Sequence, residues 1–254
     1  MSRAGTLAVA GLGPGGAQWI TPEVLLALSA ATDIVGYSPY VARLALRADQ
    51  TAHASDNRVE IERARHALEL AAAGRHVLVV SGGDPGIFAM AAAVFEAIES
   101  GDARWRALDV RVLPGISAMQ AAAARIGAPL GHDFCAISLS DNLKGADIIE
   151  RRLNAAVDGD FVIALYNPAS KARPGLIARA FDLLRARKAA ATPVIFAQSV
   201  GRADERIILS TLESADTGLV DMRTLVLIGS SQTRLIARGG EPWVYTPRGY
   251  GAAR

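Results

Sequence analysis

Apolar residues in this chain fall in short blocks, each stopped by glycine or proline. Residues 7–10, 77–80 and 225–228 are runs without charge. Such runs are too short for a buried helix and suit strands covered on both faces. Residues 32–35, 109–113, 134–139, 160–166 and 193–198 read as further strands, and 207–212 as a short strand at a sheet edge. Helical spacing occupies the intervals. Thr21 caps a first helix, with Pro22 in its first position and Glu23 in its first turn. Asp56-Asn57 caps an amphipathic helix running to Ala72 and stopped by Gly74, with Arg58, Glu60, Glu62, Arg63 and Arg65 predicted to be mostly solvated. Residues 89–98, 118–124 behind Ser117, 148–156 and 175–190 read as the remaining helices, and 101–107 as a surface connection. The stretch following Tyr40 is more weakly organised. Strand, turn, then helix, repeated along the chain, predicts an α/β fold. No low-complexity linker divides it, and the pattern places an N-terminal α/β domain at 1–115 and a C-terminal one at 116–254.

Composition narrows the chemistry. The 27 basic and 25 acidic side chains nearly balance, and no basic arm stands out, so nucleic acid is not an expected partner. Cys135 is the single cysteine, which excludes an intrachain disulfide and multi-cysteine metal sites and predicts a reduced, partly buried thiol. His53, His66, His76 and His132 have no metal-ligand spacing, so no metal is expected. Glycines from Gly11 onward break the first apolar run before a signal core forms, and no run reaches membrane-spanning length. A soluble cytoplasmic protein without a membrane partner is the expectation.

Candidate chemistry gathers where strands end. The stretch Val77-Leu78-Val79-Val80-Ser81-Gly82-Gly83-Asp84-Pro85-Gly86-Ile87-Phe88 passes from a buried strand into a turn that cannot continue directly as a helix. Gly82 and Gly83 let a ligand approach the backbone, and Asp84 supplies the only formal charge, at the strand end where open α/β sheets bind ligands. Gly11-Leu12-Gly13-Pro14-Gly15-Gly16 offers a second approach, with Asp33 lying 22 residues beyond Gly11 in the manner of a dinucleotide site. Against that reading, Pro14 alters the fingerprint, and the helix begins only at Pro22, carrying its positive end away from the glycines. Tyr37 and Tyr40 follow the second strand as candidate pocket walls. A nicotinamide oxidoreductase and a non-enzymatic ligand carrier are the rival readings.

Taken in order, residues 11–15, 81–88, 114–118 and 165–173 resemble the tetrapyrrole methyltransferase family over essentially the whole chain. Gly36-Tyr37 with Tyr40, Ile137-Ser138-Leu139-Ser140-Asp141, and Leu165-Tyr166-Asn167-Pro168 with Ser170-Lys171 are similar to its corrin-ring-contracting branch. The resemblance implies two unequal α/β domains, a homodimer, and S-adenosyl-methionine in a cleft between the domains. By family position, Gly82, Gly83, Asp84, Ile87, Ser117, Ala118 and Asn167 are expected at the cofactor, with residues 194–200 and 222–225, Thr224 among them, as less securely placed walls. Pro14 is expected on the substrate side, beside Tyr37 and Tyr40. The implied substrate is precorrin-3B, a macrocycle rich in carboxylates, methylated at C17 with ring contraction to precorrin-4 and release of S-adenosyl-homocysteine. Lys171 and Arg173 are the preferred cationic contacts, with Lys144 a further one; Arg151 and Arg152 read as solvated helix charges. Asp84, Asp141 and His132 are the candidates for moving a proton.

Overall fold

The computed structural model describes residues 5–56, 59–169 and 175–250. Contacts divide the chain into two compact units, Met1–Ala118 and Met119–Arg254.

In the first unit, β1 (Thr6–Gly11), β2 (Asp33–Tyr37), β3 (Thr51–Ser55), β4 (His76–Ser81) and β5 (Asp109–Leu113) form one sheet in the order β3-β2-β4-β1-β5. Every pairing is parallel, and Val9 stands level with Val79 and Val112. Helices α1 (Pro22–Ala30), α2 (Ser38–Val41), α3 (Glu60–Ala72) and α4 (Met90–Ser100) supply the crossovers. The charge-free run of β4 reflects cover on both faces. Val77 and Val79 pack with Leu68 of α3 and Val94 of α4, whereas Leu78 and Val80 pack with Val24 of α1. Period-two alternation sends these neighbours to opposite sides, so both sets must be apolar.

The second unit opens with α5 (Ala118–Ile126) at its border, followed by β6 (Gly127–Ala128), β7 (Phe134–Ser138), α6 (Ala146–Asp158), β8 (Val162–Tyr166) and α7 (Gly175–Arg187). Then come β9 (Pro193–Gln198), β10 (Arg206–Thr211), β11 (Thr224–Ile228), β12 (Arg234–Arg238) and β13 (Gly240–Tyr245). Its main sheet has the order β10-β9-β11-β8-β7. Strands β7 and β8 are parallel, while β11 runs antiparallel to both β8 and β9. Phe181 of α7 stacks on Phe196 of β9 at 6.1 Å in the core. A small second sheet, β12-β13-β6, closes the unit.

Several expectations need correction. Helix α3 begins at Glu60, and Val59 before it provides no side-chain cap, so Asp56 does not cap it; Asn57 lies outside the described residues. The Asp56 carbonyl instead receives the Arg63 guanidinium. Arg63 is buried rather than solvated: it also donates to Ser55 Oγ at 2.8 Å, and burial lowers its pKa. A charged residue at helical spacing turned inward because β3, which the sequence left unassigned, supplies oxygen partners. The connection after α4 is a short turn of 3-10 helix, Ala103–Ala107, that buries Trp105. The ribbon of β12 and β13 also went unassigned.

Cys135 is partly buried, and burial pushes its thiol up to about 11. No described helix is long and apolar enough to cross a membrane. Among the described residues, no group of three or more ligating side chains is arranged to hold a metal ion.

Candidate active site

Parallel pairing brings the ends of β1, β4 and β5 to one rim of the first sheet, and their turns are stitched together there. Leu12 N donates to Ser81 O at 2.9 Å. Gly13 and Gly83 exchange backbone hydrogen bonds of 3.1 and 3.0 Å in an isolated bridge. The backbones nearly touch: a Cβ on Gly11 would lie 2.5 Å from Gly83 O and 2.7 Å from Gly115 Cα. Only glycine allows three strand ends to meet so closely.

Asp84 ties the turn after β4 to the turn after β5. Its Oδ1 accepts from Gly86 N at 2.8 Å and its Oδ2 from Gly115 N at 3.0 Å. Gly83, at φ +67°, presents an open position, since a Cβ there would find its nearest neighbours, Ala118 N and Ser117 Cα, at 3.9 Å. Gly82 lies against the ring of Tyr40, where a Cβ would be 2.7 Å from Cζ. Tyr37 meets Tyr40 edge to face at 5.3 Å. Ile87 N donates to Asp84 O at 3.3 Å. The rim therefore gathers Gly82, Gly83, Asp84, Ile87, Ser117, Ala118, Tyr37 and Tyr40, and Pro14 sits in the loop beside them.

The second unit has a rim of its own. Strands β7, β8 and β9 run in one direction, and β11 starts where β9 ends, with Thr224 opposite Gln198. Asn167, at φ +50°, follows β8 and donates from Nδ2 to Ser138 Oγ at 3.0 Å. Thr224 Oγ1 and Gln198 Nε2 both donate to Asp221, each at 2.8 Å. Burial works against ionisation of Asp221, but bonds from Thr224, the Arg223 backbone and Gln198 outweigh it and hold the carboxyl below its usual pKa. Sequence reasoning missed Asp221; Ser138 entered only within the 137–141 signature and Gln198 only within the 194–200 wall. The spacing of donors and acceptors across separate strands leaves no mark in a one-dimensional pattern.

Asp141 belongs to the loop leaving β7, and Lys144 precedes α6, half-buried, with burial and nearby Arg152 lowering its pKa. His132 stands apart. It precedes β7, at the opposite end from Asn167, and packs edge to face on Tyr250 at 5.3 Å. Lys171 and Arg173 lie outside the described residues.

Asp33 decides against a dinucleotide. It is the first residue of β2, at the far end of the sheet from the glycine turns. There Arg75 Nε and His53 Nε2 lie 2.7 and 2.9 Å from its carboxylate oxygens. An acid so engaged, at that end, has no ribose to meet. The first regular helix after β1 starts at Pro22, so the helix end that a dinucleotide fingerprint puts directly behind the first glycine turn is displaced; the N-terminus of α5, at Ala118, is the one that lies near Gly83. This rim suits a ligand without phosphate, held by shape and backbone hydrogen bonds. S-adenosyl-methionine carries no phosphate and fits that description, and Gly83 leaves an open position on the rim.

Residues 6–216 match the family of Tetrapyrrole (Corrin/Porphyrin) Methylases. The chain belongs to this family. It is 57% identical over 250 residues to a precorrin-3B C(17)-methyltransferase of Sinorhizobium sp, covering 98% of each chain. It is 44% identical to a probable cobalt-factor III C(17)-methyltransferase of Salmonella typhimurium, covering 96% of this chain and 99% of the relative. The solved structure of the methyltransferase CobJ superposes with a TM-score of 0.91 at 54% identity, over 96% of this chain and 100% of that one.

Proposed function

We propose that this methylase acts on precorrin-3B, transferring a methyl group from S-adenosyl-methionine to C17 with contraction of the macrocycle to precorrin-4, in cobalamin biosynthesis. The observation that carries the reading is the 57% identity, over 98% of both chains, to a relative named for that reaction.

The donor supplies an electrophilic methyl carbon on a cationic sulfur and leaves as S-adenosyl-homocysteine. Gly82, Gly83, Asp84, Ile87, Ser117 and Ala118 are the proposed donor contacts in the first unit, and Asn167 and Thr224 those in the second. Asp84 serves by shape: both carboxylate oxygens already accept backbone N–H groups, so it fixes the turn that meets the donor. Pro14, Tyr37 and Tyr40 are proposed on the substrate side. Lys144, with Lys171 and Arg173, is proposed to meet the substrate's carboxylates; the last two lie outside the described residues. Alignment of the reacting atoms is worth roughly 7–11 kcal/mol in favourable cases, which makes rigid strand ends a suitable scaffold. Loss of the C20 hydroxyl proton accompanies bond migration. Asp141, on the loop leaving β7 at the same end as Asn167, is the proposed side chain for that proton; His132 lies at the other end of β7. A homodimer is the proposed assembly.

The test is incubation with precorrin-3B, and separately with its cobalt-containing counterpart, using methyl-labelled S-adenosyl-methionine. Product mass and carbon connectivity are then read. One new methyl at C17 on a contracted ring is expected, and methylation elsewhere would reject the assignment.

A further inference from the structure

Arg43 follows α2, and nothing in the sequence marks it. In the fold its guanidinium reaches back to the loop leaving β1. A single nitrogen, Nη2, donates to Gly15 O in a short contact and lies 3.2 Å from Leu12 O and 3.5 Å from Gly13 O. These carbonyls stand on both sides of Pro14. The same loop is fixed at Gly13 by its two-way bridge to Gly83. The segment carrying Arg43 touches the other turn as well, because Tyr40 lies on Gly82. One short stretch thus braces both glycine turns, and Arg43 holds the part of the first turn that Gly83 does not.

We propose that Arg43 is a positioning residue for the macrocycle, setting the backbone around Pro14 while leaving the donor turn to its own bonds. The inference rests on the proposed function, which puts Pro14 on the substrate side. Charge-assisted hydrogen bonds are the stronger kind, and here a single guanidinium nitrogen reaches all three carbonyls. A lysine ammonium is a compact point charge on a flexible stem, and its nitrogen ends one atom short of Nη2, so it does not reach the same carbonyls in the same way. Removal of Arg43 frees the carbonyls of Leu12 and Gly15, while Gly13 stays paired with Gly83.

The experiment compares Arg43→Ala and Arg43→Lys with the unaltered full chain. It measures kcat, the KM for precorrin-3B, and the Kd for S-adenosyl-homocysteine by calorimetry. The expected result for Arg43→Ala is a KM raised about 10-fold, equivalent to about 1.4 kcal/mol, with product affinity essentially unchanged. Low concentrations of a guanidinium salt are expected to recover part of the lost KM. Arg43→Lys serves if the alanine variant does not fold, and its KM is expected to rise in the same sense. An unaltered KM in the variants, or parallel loss of S-adenosyl-homocysteine affinity, would overturn the inference. Failure of the unaltered chain to methylate precorrin-3B would instead count against the proposed function, so the two failures are distinguishable.

Discussion

Replacement of Gly83 by alanine separates a folding requirement from a binding one. The added Cβ meets nothing closer than 3.9 Å, so no atom must move to admit it. The backbone there has φ +67°, and an L side chain in the left-handed region costs roughly 1–2 kcal/mol. Against the stability of about 5–15 kcal/mol usual for a folded protein, that loss is bearable. The expected fall in Tm is a few degrees, at about 2–4 °C per kcal/mol for a chain of this size. Binding should suffer far more if the donor lies where it is proposed to, because the methyl then fills the open position beside it. A rise of at least about 10-fold in the Kd for S-adenosyl-homocysteine, or about 1.4 kcal/mol, is expected. Calorimetric titration beside a thermal melt reads both quantities. Gly115→Ala is the contrasting variant: its Cβ would lie 2.8 Å from Gly11 Cα and still closer to Gly83 O, so it should fail to fold. If Gly83→Ala binds S-adenosyl-homocysteine as tightly as the unaltered chain, the turn does not face the donor and the assignment of this rim collapses.

Asp84→Ala leaves the Gly86 and Gly115 amides without their acceptor, at an expected cost of about 1–3 kcal/mol in stability. It should also weaken S-adenosyl-homocysteine binding, whereas Asp84→Asn, which keeps one acceptor oxygen, should retain part of both. Unchanged binding in the alanine variant would remove Asp84 from the donor site. Asp33 offers a pH test away from the rim. Its side chain is 3% exposed; burial raises its pKa, but bonds from Arg75, Thr32 and His53 prevail and bring it from 3.8 to about 2. A carboxyl depressed on folding stabilises above its unfolded pKa and ceases to do so as pH falls through the folded one. Asp33→Asn is therefore expected to lose about 2 kcal/mol at neutral pH. Urea titrations at descending pH should show that gap closing between about pH 4 and pH 2, and a gap independent of pH would refute the ion-pair account.

What could be read from the sequence follows from where the information resides. The strand at 193–198 appears with those bounds, because a buried strand must be apolar on both faces and its neighbours cannot alter that demand; the edge strand at 109–113 also appears with its bounds, although only Leu113 in it is buried. The α1 start at Thr21-Pro22 was equally legible: Thr21 Oγ1 accepts from Val24 N at 3.3 Å, a bond made within one turn. Strand β3 was not. Its side chains are exposed or half-buried, and its only sheet neighbour is β2, so apolar pressure on it is weak. Losing β3 cost Arg63 as well, since Ser55 at the end of that strand is one of the partners that draw it inside. The glycine turns were legible as places of close approach, yet what they approach was not: Gly11, Gly83 and Gly115 meet one another from three strand ends.

The same distinction explains why the two glycine-bearing loops looked like a nucleotide site and are not one. A phosphate cradle of the dinucleotide kind needs the helix after the first glycine turn to start at that turn, and local spacing already denied this by delaying α1 to Pro22. What replaces the helix end was invisible locally. Backbone exchange between Gly13 and Gly83 and the carboxylate of Asp84 spend the polar groups of the turns on one another. A rim satisfied in this way has little left to offer a polyanion. The proposed donor asks for something else, a contour for an adenine and an amino-acid tail with the sulfonium left exposed. Rigidity among the strand ends and tolerance of a phosphate-free cationic donor thus arise from the same set of bonds, and loosening either should loosen the other.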